Sequence, residues 1–197
     1  MKRDLILASS SPRRQEMLRV LGIAFEIHPA EIEEIPFHGE EPAAFAARMA
    51  RQKAQAVARV HPDAVVIGAD TVVVLEGRIL GKPVDAADAV RMLKALRGQE
   101  HKVMTGFSVI VREAGIERNR VITSTVFVRR LTDREIEGYV ATGEPLDKAG
   151  AYAIQGIGAF LVEGIVGSYT NIVGLPLSEL LDELEAIGAV RLFDQEG

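Results

Sequence analysis

The stretch LILASSSPRRQEML, residues 5–18, constrains the fold most. An apolar run gives way at once to three serines, a proline and two adjacent arginines, and then to another apolar pattern. Leu5 to Ala8 has the character of a strand, about Pro12 to Leu21 that of a helix stopped by Gly22, and Ala24 to His28 that of a second strand. Strand, helix, strand is the opening of an α/β domain. Residues 29–41, PAEIEEIPFHGEE, form an acidic loop with two prolines. From Pro42, the Ala-rich PAAFAARMARQKAQAVARVH is a long helix with proline in its first turn. AVVIG, 64–68, is a buried strand bounded by Gly68, and TVVVLEGRILGKP, 71–83, a hairpin turning at Glu76 and Gly77.

The later chain continues in kind. DAADAVRMLKALRG, 85–98, is a capped helix ending at Gly98, and His101 to Val128 alternates as two long antiparallel strands joined near EAGIE. TDREIEGYVAT, 132–142, is a short helix, KAGAYAIQGIGAF, 148–160, a glycine-rich loop, and SELLDELEAIG, 178–188, a helix with Ser178 as its cap. No repeat or low-complexity linker interrupts the chain, so residues 1–197 are expected to form one domain, and 48% apolar content supplies its core.

The charge balance narrows the partners. A formal net charge of −5 argues against a nucleic-acid or membrane-surface footprint, which needs a basic face, so an anionic ligand must be held by a local group of cations. With no cysteine, disulfides, thiolate catalysis and cysteine-ligated zinc are excluded together, and a reducing compartment is the natural setting. The apolar run Leu5 to Ala8 is too short for a signal peptide and no stretch reaches membrane-spanning length, so a cytoplasmic protein is expected.

Four places carry chemistry. In SSSPRR, Ser9 and Ser10 close a strand, Ser11 is placed to cap the next helix and Pro12 suits its first position. Free N–H groups of that helix start, joined by Arg13 and Arg14, make an anion site whose best ligand is a phosphate chain. A surface helix start with two solvated arginines is the plainer alternative. Asp70 in VVIGADT is expected just past the end of a buried strand, where a carboxylate can hold Mg²⁺ or take a proton from water, unless it merely caps the turn; Thr71 can cap that turn or donate to a ligand. Stepping by four from Phe45 through Met49, Lys53 falls in an apolar stripe and faces inward, or snorkels out. Lys82 in LGKP reads alone as a loop cation. Of the acidic run Glu31, Glu33 and Glu34, one member near Asp70 would complete a pair of oxygen ligands for Mg²⁺ or Mn²⁺. Gln155 stands in the glycine-rich stretch with both a donor and an acceptor, able to read a base edge. His28, His38, His61 and His101 show no metal-ligand spacing and are read as structural or surface residues, and GSYTNIVGLPLSEL, 167–180, carries fewer dedicated groups.

Taken together, LASSSPRR (7–14), GADTVV (68–73), GKP (81–83), DKAGAYAIQG (147–156) and GSYTNIVGLPL (167–177) resemble the Maf, or septum-formation-inhibitor, family, in order and along nearly the whole chain; the tail RLFDQEG (191–197) falls outside the pattern. The resemblance implies an α/β fold of the Maf and ITPase-like kind, a long mixed β-sheet flanked by helices with two lobes around a central cleft. It implies a metal-dependent nucleoside triphosphate pyrophosphatase, a house-cleaning enzyme of the nucleotide pool linked to division arrest, whose products are a nucleoside monophosphate and pyrophosphate. By this resemblance Asp70 matches the proton acceptor and Glu34, Lys53 and Lys82 the charged groups around it. Arg13, Thr71 and Gln155 match positions marking the branch that acts on dTTP and UTP.

Both lines lead to one expectation. Mg²⁺ or Mn²⁺ on Asp70 and Glu34 bridges phosphate oxygens, Arg13, Arg14, Lys53 and Lys82 absorb charge, Ser9 lies at the same helix start, and Asp70 handles the attacking water. The competing readings are a non-catalytic nucleotide-sensing regulator of septum formation and a nucleic-acid binder, the latter disfavoured by net charge and 5% aromatic content. A homodimer is the candidate assembly.

Overall fold

The computed structural model describes residues 3–193, so the last four residues of the RLFDQEG tail lie outside the described residues. Among these, seven strands join in one mixed sheet. The strands are β1 (Leu5–Leu7), β2 (Glu26–Ile27), β3 (Val65–Leu75), β4 (Arg78–Leu80), β5 (Glu100–Val111), β6 (Ile116–Val128) and β7 (Val162–Val166). Their order is β2-β1-β3-β5-β6-β7, with β4 paired to β3. β1 runs parallel to both β2 and β3, whereas β4 is antiparallel to β3 and β7 to β6. The parallel pairs follow from crossover helices. Helix α1 (Pro12–Val20) links β1 to β2, and α2 (Pro42–Ala58) precedes β3. Helices α3 (Ala86–Leu96), α4 (Asp133–Ala141), α5 (Tyr169–Val173) and α6 (Leu177–Ala186) complete the set.

The chain divides into two compact units, the first of residues 1–70, 105–121 and 174–197, the second of 71–104 and 122–173. Strands β3, β5 and β6 contribute residues to both. The first unit has a small-residue core in which Ile6, Ala54, Val57, Val66 and Ile110 pack together. In the second, larger side chains fill the core, among them Met92, Leu93, Leu96, Ile136, Tyr139 and Leu161.

Local chemistry explains most element ends. Asp85 caps α3 by accepting from the Asp88 N–H at 2.7 Å, and Thr132 with Glu135 forms a complete capping box on α4. Glu76 and Gly77 take φ values of 50° and 78°, the left-handed pair of a two-residue hairpin turn between β3 and β4. A four-residue turn, 112–115, joins the neighbouring strands β5 and β6, which a connection so short permits only if they are antiparallel.

Five expectations need correction. Asp70 does not lie past a strand end. β3 is continuous from Val65 to Leu75 because β1 pairs with Val65–Ile67 and β4 with Val73–Leu75, so partners on both halves leave no turn at residue 70 for Asp70 or Thr71 to cap. Ser11 occupies the cap position of α1 without a side-chain cap bond; its own N–H donates to Ser9 Oγ at 3.2 Å. Ser178 lies inside α6, whose cap residue is Pro176, with the Leu180 N–H donating to the Pro176 carbonyl at 3.0 Å. The second strand covers only Glu26–Ile27, since the short β1 offers it pairing partners only at Ile6 and Leu7. The glycine-rich stretch 148–160 is mostly 3₁₀ turns, Ala149–Ala151 and Gly156–Leu161.

Candidate active site

The site in the first unit is built by one close approach. Ala46, Ala50 and Ala54 recur every fourth residue on α2, giving that face almost no side-chain height. Gly68 on β3 removes the remaining obstacle: a Cβ there would meet the Ala50 carbonyl oxygen at 2.3 Å and the Ala54 nitrogen at 2.6 Å. On β5, Gly106 does the same, with a Cβ position 2.4 Å from the Ala46 carbonyl oxygen. The helix backbone therefore lies directly on the sheet. Residues 68 and 70 share a face of the strand, so Asp70 meets the next residues along the same side of α2.

What it meets is Lys53. Its ammonium donates to Asp70 Oδ1 at 2.7 Å and forms an ion pair at 2.7 Å with Glu34 Oε1 from the acidic loop. Lys53 and Asp70 are buried, at 7% and 6% exposure, whereas the Glu34 side chain is 54% exposed. Lys53 thus faces inward and does not snorkel. The loop carrying Glu34 is fastened immediately after it: Arg48 on α2 donates to both Glu40 carboxylate oxygens and to the Ile35 carbonyl, and stacks over Phe37 at 3.9 Å.

Arg14, half-buried, is the second cation of the site. Its guanidinium donates to the Gly174 carbonyl at 2.7 Å and to Ser9 Oγ at 3.2 Å, so the buried Ser9 hydroxyl accepts from both Arg14 and the Ser11 N–H. Burial lowers the proton affinity of Arg14, against the raising influence of Asp70 and Glu34. The Asp70 carboxyl is pushed above the ordinary range chiefly by burial, while Lys53 and Arg14 pull it down. Arg13, next along α1, is exposed. This arrangement sets a buried base of raised proton affinity among cations at an uncapped helix start, suited to a polyanion and a water molecule.

Thr71, Lys82 and Gln155 belong to the second unit. There the GKP and DKAGAYAIQG motifs meet: the Gly150 N–H donates to the Gly81 carbonyl at 3.0 Å, and Gly150, at φ 70°, leaves no room for a Cβ, which would sit 2.9 Å from Val73 Cγ1. Lys82 and Gln155 are exposed, and Thr71 is half-buried in β3. The GSYTN stretch holds more chemistry than its sequence suggested. Buried Asn171 donates to the Val103 carbonyl at 3.0 Å and to Ser124 Oγ at 2.9 Å, and Ser124 also exchanges hydrogen bonds with the Ser168 backbone. Sequence alone gives no sign of Ser124, which lies in a strand far from that motif. His101 is buried beside Tyr152 with Nε2 2.7 Å from the phenol oxygen, and burial pushes its pKa down to about 4.

No cluster of three or more metal-ligating side chains occurs among the described residues. The pair Asp70 and Glu34 nonetheless fits a hard divalent cation. Two carboxylates already converge on one positive charge, and Mg²⁺ commonly takes one or two protein carboxylates with phosphates and water as its remaining ligands.

The fold and this cluster define an α/β protein with a mixed seven-stranded sheet and a charged site on an interior strand, β3. The chain belongs to the Maf-like protein family, whose sequence pattern matches residues 4–187. It is 53% identical over 190 residues to a dTTP/UTP pyrophosphatase of Geobacter sulfurreducens, covering 96% of this chain and 99% of that protein. A dTTP/UTP pyrophosphatase of Citrifermentans bemidjiense is 52% identical over 187 residues, covering 95% and 97%, respectively. Among solved structures, a nucleoside-triphosphatase / dITP/XTP pyrophosphatase from Mycobacterium abscessus is 16% identical with a TM-score of 0.46, covering 95% of this chain and 100% of that one.

Proposed function

We propose that this chain is a nucleoside triphosphate pyrophosphatase that hydrolyses dTTP and UTP to the monophosphate and pyrophosphate, residues 1–197 acting as one catalytic domain. The observation that carries the chemistry is the Lys53 ammonium held 2.7 Å from both Asp70 and Glu34, with Arg14 contributing a further charge to the same site. The named relatives support the substrate.

Asp70 accepts the proton of a water molecule as its oxygen bonds to the α-phosphorus. The bond from that phosphorus to the bridging oxygen of the β-phosphate breaks, and pyrophosphate leaves. A carboxylate whose proton affinity burial has raised is a stronger base than an exposed one. Lys53, Arg14 and Arg13 offset the negative charge of the phosphates, and Lys82 contributes from the GKP segment. Asp70 and Glu34 would hold Mg²⁺ or Mn²⁺, which when bound supplies charge neutralisation at phosphate oxygens. Gln155 reads the pyrimidine, because one amide can satisfy both the carbonyl and the imide N–H of uracil or thymine, with Thr71 and Arg13 fixing the nucleotide. Cytosine leaves that amide mismatched, at about 1–3 kcal/mol for each unsatisfied partner.

The test is product chromatography with a panel of nucleoside triphosphates and Mg²⁺. UTP is expected to yield UMP and pyrophosphate, and UTP and dTTP are expected to outrun CTP, dCTP and the purine nucleotides. UDP with orthophosphate would place attack at the γ-phosphorus and overturn the mechanism.

A further inference from the structure

Gln155 is exposed at the start of the 3₁₀ segment Gly156–Leu161, and the backbone on both sides of it is held by two side chains for which the proposed reaction has no other use. Before it, the Ala153 N–H donates to Tyr139 Oη at 3.3 Å. After it, the N–H groups of Ile157 and Gly158 donate to the two Glu144 carboxylate oxygens at 3.0 and 2.8 Å. The Tyr139 hydroxyl closes the chain by donating to Glu144 Oε1 at 2.8 Å. Burial opposes the Glu144 charge, but these hydrogen bonds outweigh it and hold its pKa below the ordinary value.

Tyr139 is 2% exposed in the core of the second unit, its ring edge-on to Phe160 at 5.9 Å between centroids. Glu144 opens the 3₁₀ turn Glu144–Asp147 directly after Gly143, whose φ is 76°. The loop is also sterically closed onto them. A Cβ at Gly156 would fall 2.6 Å from Glu144 Oε2, and one at Gly158 would fall 2.4 Å from Tyr139 Oη and 2.5 Å from the Ala153 carbonyl oxygen. Hydrogen bonds and contact together hold the backbone of residues 153–158 on both sides of Gln155, and that backbone sets where the Gln155 amide is presented.

We infer that Glu144 and Tyr139 are positioning residues for pyrimidine selection, acting through the backbone of residues 153–158 on the amide of Gln155. The inference rests on the reading of Gln155 as the base-contacting residue. Glu144→Gln keeps the shape but replaces one accepting oxygen with an NH₂ group facing a backbone N–H, and Tyr139→Phe removes the hydroxyl that joins the two halves of the clamp.

The experiment measures kcat/KM for UTP and for CTP in the wild type, Glu144→Gln, Tyr139→Phe, Gln155→Ala and the Glu144→Gln/Gln155→Ala double variant. The UTP-to-CTP ratio is expected to fall about tenfold in Gln155→Ala and by a comparable factor in Glu144→Gln, since charge-assisted hydrogen bonds are among the stronger ones lost. The double variant is expected to show the ratio of Gln155→Ala alone, because both changes remove the same discrimination. A ratio that falls in Gln155→Ala but not in Glu144→Gln would overturn the inference and leave the role of Gln155 standing. Ratio losses that multiply in the double variant would overturn it as well, as would an equal loss of kcat/KM for both nucleotides in Glu144→Gln. An unchanged ratio in Gln155→Ala would instead remove the reading on which the inference rests. If Glu144→Gln does not fold, Tyr139→Phe, alone and combined with Gln155→Ala, carries the same comparison.

Discussion

Replacing Lys53 by methionine removes an ammonium while keeping nearly the same length of chain in the stripe of α2. The structure separates what its two partners are worth. Lys53 and Asp70 each have side chains 9% exposed, whereas Glu34 is 54% exposed, so solvent screens the second contact and the first dominates. Removing one partner of a buried pair costs about 3–5 kcal/mol, because the other charge is left uncompensated. Arg14 remains to stabilise Asp70, which places the expected loss near the lower end, about 3 kcal/mol at pH 8 without divalent metal. The pH dependence identifies the cause. Burial holds the Asp70 carboxyl above its unfolded value and Lys53 opposes that rise, so in the variant it rises further. A native-state pKa above the unfolded one favours folding at low pH and loses that advantage as pH rises through it. The deficit of the variant is therefore full above its own Asp70 pKa, shrinks as pH falls through that value, and loses its Asp70 part below the wild-type pKa. Urea unfolding in EDTA at a series of pH values from about 8 to 4 measures it. A deficit below about 1 kcal/mol at pH 8, or one that does not change with pH, would show that Lys53 is packing and not charge compensation.

Asp70→Asn is expected to keep the fold while turnover of UTP falls by at least ~10², the low end for loss of a general base; near-normal turnover in the folded variant would move the base elsewhere. His101 contributes a loss of stability on the acid side. With its native pKa near 4 against an unfolded value near 6.5, the unfolded chain binds the extra proton, so stability declines as pH falls from about 6.5 to 4, by up to about 3 kcal/mol. His101→Gln should flatten that decline in pH-dependent unfolding, and an identical slope would mean that other groups cause it. Gly68→Ala should lower the melting temperature by at least ~6 °C, because a methyl 2.3 Å from the Ala50 carbonyl must force α2 away from β3 at a cost of about 3 kcal/mol. A shift within ~1 °C would show that the close approach is not required.

Local pattern in the amino-acid sequence was enough for the longer helices and for most of the strands, but not for the short α5. Pro12 and Pro42 mark helix starts, Asp85 is a cap, Gly22 and Gly98 mark helix ends, and Glu76-Gly77 is a turn, because each acts on backbone atoms within a few residues of itself. The place of Lys53 on a stripe with Phe45 and Met49 was legible for the same reason, but spacing left open whether its ammonium turned inward or snorkelled out, which the contact with Asp70 decided. Asp70 was legible as an acid beside a buried strand but not as a residue within it. Its place in the middle of β3 depends on β1 holding one half of the strand and β4 the other. The family resemblance set Glu34 and Lys53 around Asp70, but only the tertiary structure gave their contacts, because the distance between a loop, a helix and a strand is set by how closely their backbones pack. Here that closeness comes from Ala50, Ala54 and Gly68. It alone disclosed the clamp of Tyr139 and Glu144 on residues 153–158, and the bonds of Asn171 to Val103 and Ser124. Hydrogen bonds between residues distant in sequence leave no periodicity behind, and a tyrosine, a glutamate or an asparagine reads the same whether it meets water or a buried partner.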